Sequence, residues 1–113
     1  MTSDAPKRVR VQHLQAAKEH GEKLVMLTAY DAVTARIFDE AGVDILLVGD
    51  SIGNTMHGYA TTLPVTLDEM IVAARSVAGA ARRAFVVADL PFGSYEAGPA
   101  QALATATRVM KET

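Results

Sequence analysis

Three short apolar runs, each followed by a segment with helical spacing, constrain this chain more than any other feature. They are Leu24–Ala29, Ile45–Gly49 and Ala84–Leu90, rich in Val, Ile and Leu. Runs of that length and composition read as strands covered on both faces, as in a parallel sheet. No hairpin signal joins them, and alternating strand and helix implies parallel pairing with right-handed crossovers. The expected class is therefore α/β. Two of the runs stop at aspartates, Asp50 and Asp89, and the C-terminal strand ends of such sheets are where chemistry is placed.

The segments between the runs support this order. Val11–His20 reads as a short amphipathic helix before the first strand, with residues 1–10 as a flexible polar tail lacking the apolar stretch of a signal peptide. Asp31 is placed to cap a helix whose apolar positions are Val33, Ile37, Phe38 and Ala41, closed by Gly42. Thr66-Leu67-Asp68-Glu69 has the form of a capping box and opens a helix with Leu67, Met70, Ile71, Ala74, Val77 and Ala78 on one face. Pro99 starts a last helix carrying Leu103, Ala106, Val109 and Met110. Two stretches lack a period: 51–65, long for a connection inside a domain, and 91–98. Three strands bury one another poorly, so the chain reads as the first part of something larger. The net charge of −2 points to neither nucleic acid nor an anionic membrane surface. Cysteine is absent, which excludes thiol chemistry and thiolate metal sites and fits a cytoplasmic protein. No apolar run approaches the roughly 20 residues that span a bilayer.

Asp50 and Asp89, on adjacent strands, could supply two oxygen ligands to magnesium, which is usually held by one or two carboxylates with waters and substrate oxygens. The alternative is that each accepts a backbone N–H and caps its loop. Gly49-Asp50-Ser51-Ile52-Gly53 also matches G-x-S-x-G, the pattern of a serine-hydrolase nucleophile. That reading needs a helix directly after the serine, and a Gly- and Thr-rich loop is expected there instead. His13 and His20 fall among charged residues and read as solvated. His57, near Tyr59 in the long loop, could touch a ligand or be merely exposed. No G-x-G-x-x-G or Walker pattern occurs.

Four motifs, Leu27-Thr28-Ala29-Tyr30-Asp31, Leu47-Val48-Gly49-Asp50-Ser51, Thr62-Leu63-Pro64-Val65-Thr66 and Ala88-Asp89-Leu90-Pro91-Phe92, resemble in order and spacing the ketopantoate hydroxymethyltransferase family. The similarity runs from about Val11 to the last residue. The resemblance implies the first three strand–helix units of a (β/α)8 TIM barrel of the phosphoenolpyruvate/pyruvate group, preceded by a helix that covers the barrel bottom. It implies transfer of a hydroxymethyl group from 5,10-methylenetetrahydrofolate to 3-methyl-2-oxobutanoate, giving 2-dehydropantoate in pantothenate and coenzyme A synthesis. The chemistry implied is removal of the C3 proton from a magnesium-chelated 2-oxo acid, with Asp50 and Asp89 as metal ligands and Asp50, Ser51 and Asp89 lining the substrate site. Homo-oligomers of decameric type are implied as well.

The same resemblance puts the lysine and glutamate of a Lys-x-Glu-Gly-Gly motif, and the general-base glutamate, beyond Thr113. No catalytic base is then expected among these residues, and the isolated 113 residues are expected to be inactive and unstable as a monomer. Two other outcomes are weighed beside this one. One is a serine hydrolase acting through Ser51; the other is a non-catalytic truncated module that associates through exposed sheet edges.

Overall fold

The computed structural model describes residues 7–113; residues 1–6 of the expected tail lie outside them. Of the rest of that segment, the Arg8 guanidinium donates to Ala81 O at 2.7 Å and the Val9 N–H donates to Arg83 O at 2.7 Å. The chain reaches the body of the protein before α1 (Val11–Glu19) begins. The His13 Nδ1 closes that helix by accepting the Arg10 N–H at 2.9 Å, so this exposed histidine has a structural partner.

The elements then run β1 (Met26–Thr28), α2 (Ala32–Glu40), β2 (Ile45–Val48), α3 (Ile52–Thr55), α4 (Leu67–Ala80), β3 (Phe85–Ala88) and α5 (Pro99–Glu112). The three strands form one parallel sheet in the order β1-β2-β3. In register, Leu27 faces Leu46, and Leu46 and Val48 face Val86 and Ala88. This is the fold of three successive strand–helix units of a (β/α)8 barrel. No described helix is long and apolar enough to cross a membrane.

The two faces of the sheet differ most at β2, while β1 is exposed on both faces and β3 is part-buried on both. Leu46 and Val48 are fully buried with Met70, Ala74 and Val77 of α4, and Ala35 of α2 joins the same cluster. The other face, with Met26, Ile45, Leu47, Phe85 and Val87 on it by the two-residue alternation, is partly open, and Met26 is 53% exposed. Helices cover one side of β2, and in a partial barrel the part-buried opposite side is the inner face.

Two helices also turn differently from their apolar spacing. In α2, Val33 and Ile37 are exposed while Ala35 and Asp39 are buried. In α5, Leu103 and Met110 are 70% and 81% exposed while Thr105 is buried, its hydroxyl donating to Ser94 O. A small side chain lets a helix sit close to its neighbour, and a polar one with a fixed partner steadies its rotation, while Phe38 of α2 still packs on the core and Ala106 and Val109 of α5 face Ala74 and Val86.

Asp39 shows how strong that constraint is. Its carboxylate accepts the backbone N–H groups of Arg82 (2.9 Å), Arg83 (3.0 Å) and Ala84 (2.7 Å), all in the approach to β3. Asp44 does similar work beside it, accepting the Val25 N–H at 3.0 Å and pairing with Arg83 at 2.9 Å. Burial alone would raise the Asp39 carboxyl, but these N–H donors and the charge of Arg8 outweigh it and hold it below the usual carboxylate range. A depressed folded pKa stabilises the fold above the unfolded value, near ~3.9, and that stability is lost as the pH falls through the folded value. Asp39→Asn is expected to cost about 3 kcal/mol at neutral pH by denaturant unfolding, since it removes a charged acceptor from three donors. It should also flatten the acid limb of the stability profile.

Candidate active site at the ends of β2 and β3

The β2–β3 register carries one residue past the strands, with the Asp89 N–H donating to Val48 O at 2.9 Å. Asp89 follows β3 directly, and Asp50 lies two residues beyond β2. Both line one open cleft of about 520 Å³, together with Ala88, Leu90 and Tyr95. The topology thus brings the two strand-end carboxylates to a single site.

The carboxylates here differ from the others nearby. Asp31 caps α2, accepting the Thr34 N–H and the Thr34 hydroxyl at 2.8 Å each, and the first of these bonds leads in holding its carboxyl below the ordinary range. Asp39 and Asp44 are likewise occupied by backbone N–H groups. Among the described residues no such donor serves Asp50 or Asp89, so the loop-cap alternative describes Asp31 and neither of the pair.

Gly49 explains how the Asp89 carboxylate comes close to the end of β2. A Cβ at this position would lie 2.9 Å from Asp89 Oδ2 and 3.5 Å from Ser51 Oγ. The missing side chain is the space that the Asp89 carboxylate leans across, and the serine oxygen borders the same space. Among the described residues no cluster of three or more His, Cys, Asp or Glu side chains could hold a metal ion; what the fold offers is a pair.

Ser51 lies at φ −55°, ψ −14°, and a four-residue helix, α3, follows it at once. The expectation of irregular loop directly after the serine is therefore corrected. The short turn arises because Ser51 O accepts the N–H groups of Asn54 and Thr55, with Thr55 Oγ1 donating as well. A nucleophile elbow is a strained turn, whereas Ser51 has relaxed helical geometry. Its Oγ is 2.6 Å from the Tyr30 hydroxyl, and no base among the described residues is bonded to it.

His57 is engaged rather than merely exposed. Its Nδ1 lies 3.3 Å from Glu69 Oε2, its ring meets Tyr59 edge-on at 5.5 Å, and the Tyr59 hydroxyl donates to Glu69 Oε1 at 2.9 Å. That hydrogen bond to Glu69 is the main reason the Tyr59 phenol titrates above its ordinary value. Only half of the expected capping box forms: the Glu69 N–H donates to Thr66 Oγ1 at 3.1 Å, while the Glu69 side chain turns to the loop instead. The sequence reading passed over two tyrosines, Tyr30 beside Ser51 and Tyr95 in the cleft wall. Tyr30 follows the last residue of the first run, and a polar aromatic at that end of a parallel strand is the signal that marks it.

Comparison with known proteins gives a consistent result. A family model described as ketopantoate hydroxymethyltransferase matches residues 8–113. A 3-methyl-2-oxobutanoate hydroxymethyltransferase of Leifsonia xyli is 67% identical over 111 residues, covering 98% of this chain and 40% of the relative. One of the same name from Thermobifida fusca is 64% identical over 108 residues, covering 96% and 39%. This chain therefore spans about 40% of the length of such relatives. Among solved structures, a 2,3-dimethylmalate lyase of the PEP mutase/isocitrate lyase superfamily superposes with a TM-score of 0.66 at 25% identity, over 89% of this chain and 35% of that one.

The geometry of Ser51 makes one outcome checkable. A fluorophosphonate probe is expected to leave the protein unlabelled, and labelling that disappears in Ser51→Ala would restore the nucleophile reading.

Proposed function

The chain belongs to the ketopantoate hydroxymethyltransferase family, and we propose that, within a chain of its relatives' length, it serves the transfer of a hydroxymethyl group from 5,10-methylenetetrahydrofolate to 3-methyl-2-oxobutanoate, giving 2-dehydropantoate. The observation that carries this reading is the pair Asp50 and Asp89, without hydrogen-bond donors among the described residues, facing one cleft at adjacent parallel strand ends. Their donor set fits magnesium: two anionic oxygens, no nitrogen or sulfur, and open space for water and substrate oxygens. Bound there, the ion would supply Lewis acidity to a 2-oxo acid and favour loss of its C3 proton.

The chain's own residues then have separate tasks. Asp50 and Asp89 supply negative charge at the strand ends, and Gly49 leaves room for the Asp89 carboxylate beside Ser51 Oγ. Ser51 borders that space and donates to the substrate carboxylate, which fixes the face of C3 presented to the one-carbon donor. The cleft is lined by Asp50, Ala88, Asp89, Leu90 and Tyr95, without lysine, histidine or glutamate. With Asp50 and Asp89 given to the metal, the base that takes the C3 proton is assigned to the glutamate of the family pattern. The assembly proposed for the full-length chain is a homo-oligomer of the decameric kind.

In a full-length chain, Asp50→Asn is expected to slow magnesium-dependent exchange of the C3 proton of 3-methyl-2-oxobutanoate by about 100-fold or more, followed by NMR in deuterium oxide. Undiminished exchange would remove Asp50 from the site. The 113 residues expressed alone are expected to show no hydroxymethyl transfer in a coupled assay of 2-dehydropantoate formation.

A further inference from the structure

We propose that Tyr30 is a positioning residue whose phenol donates to Ser51 Oγ, so that the serine's own proton is directed at the carboxylate of a bound 2-oxo acid. The inference rests on the functional reading above and assigns the orientation of one hydroxyl within it.

The geometry starts at β1. Tyr30 comes straight after Ala29, which is buried, and its half-buried ring packs against the core cluster beneath the sheet. The phenol is thus held by packing before any ligand arrives. Its oxygen sits 2.6 Å from Ser51 Oγ, across the loops that follow β1 and β2. The serine backbone is fixed as well, because its carbonyl accepts from Asn54 and Thr55 at the start of α3. Both ends of the hydrogen bond are therefore anchored to different strands.

Direction follows from the donor inventory. Each hydroxyl has one proton and two acceptor lone pairs. If Ser51 gave its proton to Tyr30, only lone pairs would remain to face an anion, and the contact would be repulsive. If Tyr30 donates, the serine proton is free. A phenol, with a pKa near ~10, is more acidic than an aliphatic alcohol and the better donor, and a carboxylate at the far end polarises the chain in the same sense. Ser51 Oγ borders the space above Gly49 that Asp89 Oδ2 also borders, so the released proton belongs to the side of the strand ends where Asp89 lies.

The test is a double-mutant cycle in the full-length chain, with steady-state kinetics and direct titration of 3-methyl-2-oxobutanoate. Tyr30→Phe keeps the ring and its packing, and a thermal melt confirms that it is folded. Its KM for the 2-oxo acid should rise about tenfold, with kcat within about twofold of the parent, the pattern of lost uniform binding. Ser51→Ala, which removes the orienting hydroxyl itself, should raise KM at least as much and lower kcat as well, and the double variant should be no worse than Ser51→Ala alone. The methyl ester, which lacks the anionic carboxylate, should bind parent and Tyr30→Phe equally. Effects that multiply in the double variant, an unchanged KM, or a fall in kcat at constant KM would overturn the role of Tyr30 while leaving the functional reading in place. A parent that neither binds nor turns over the 2-oxo acid would overturn both.

Discussion

At the approach to β3, three consecutive backbone N–H groups end on the buried carboxylate of Asp39. This contact sets where β3 begins relative to β2, and everything at the far end of the sheet inherits it. Because side chains alternate with a period of two, a slip of one residue would send the inner set of β3 to the helix face. Asp89 would then point away from Gly49. The functional end of the sheet is thus positioned by a polar contact at its opposite end, where Asp44 and Arg83 tie β1, β2 and the same connection together.

A single contact of this kind is hard to read from sequence. Asp39 lies in a helix at a position that looks solvated, and nothing local shows that its partners are more than forty residues away. The strands themselves were legible, since dense Val, Ile and Leu runs without turn signals leave few alternatives, and Asp31 announced its cap by its place before an apolar period. Helix rotation was less so. Val33, Ile37, Leu103 and Met110 fit the period as well as the residues that are buried, and tertiary contacts through Ala35, Asp39 and Thr105 decided between them. Glu69 illustrates the same competition at a cap: its local partner was the backbone of Thr66, but the phenol of Tyr59 took its side chain.

The candidate site was legible in a different way. Asp50, Ser51 and Asp89 stand out because polar residues abruptly end apolar runs, and a parallel sheet brings such ends together. Tyr30 lacks that contrast, being aromatic beside an apolar run, so its bond to Ser51 required the fold. Gly49 is similar. Its φ demands no glycine, and the reason for it is the approach of a carboxylate from the neighbouring strand.

The open inner face gives the site its remaining physical logic. Met26, Ile45, Leu47, Phe85 and Val87 leave apolar surface facing the side on which Asp89 crosses Gly49. In a closed barrel that surface is dry, and charges at its rim act through less water than they would on an open sheet. Two carboxylates beside such a layer favour a cation and oppose a free anion. A 2-oxo acid therefore needs compensation on two counts: positive charge between the aspartates, and a directed donor for its own carboxylate. In the proposed reading the pair holds the first, and Ser51 supplies the second only if its proton is not already given to Tyr30, so the direction of one 2.6 Å hydrogen bond sets how well the rim receives this class of ligand.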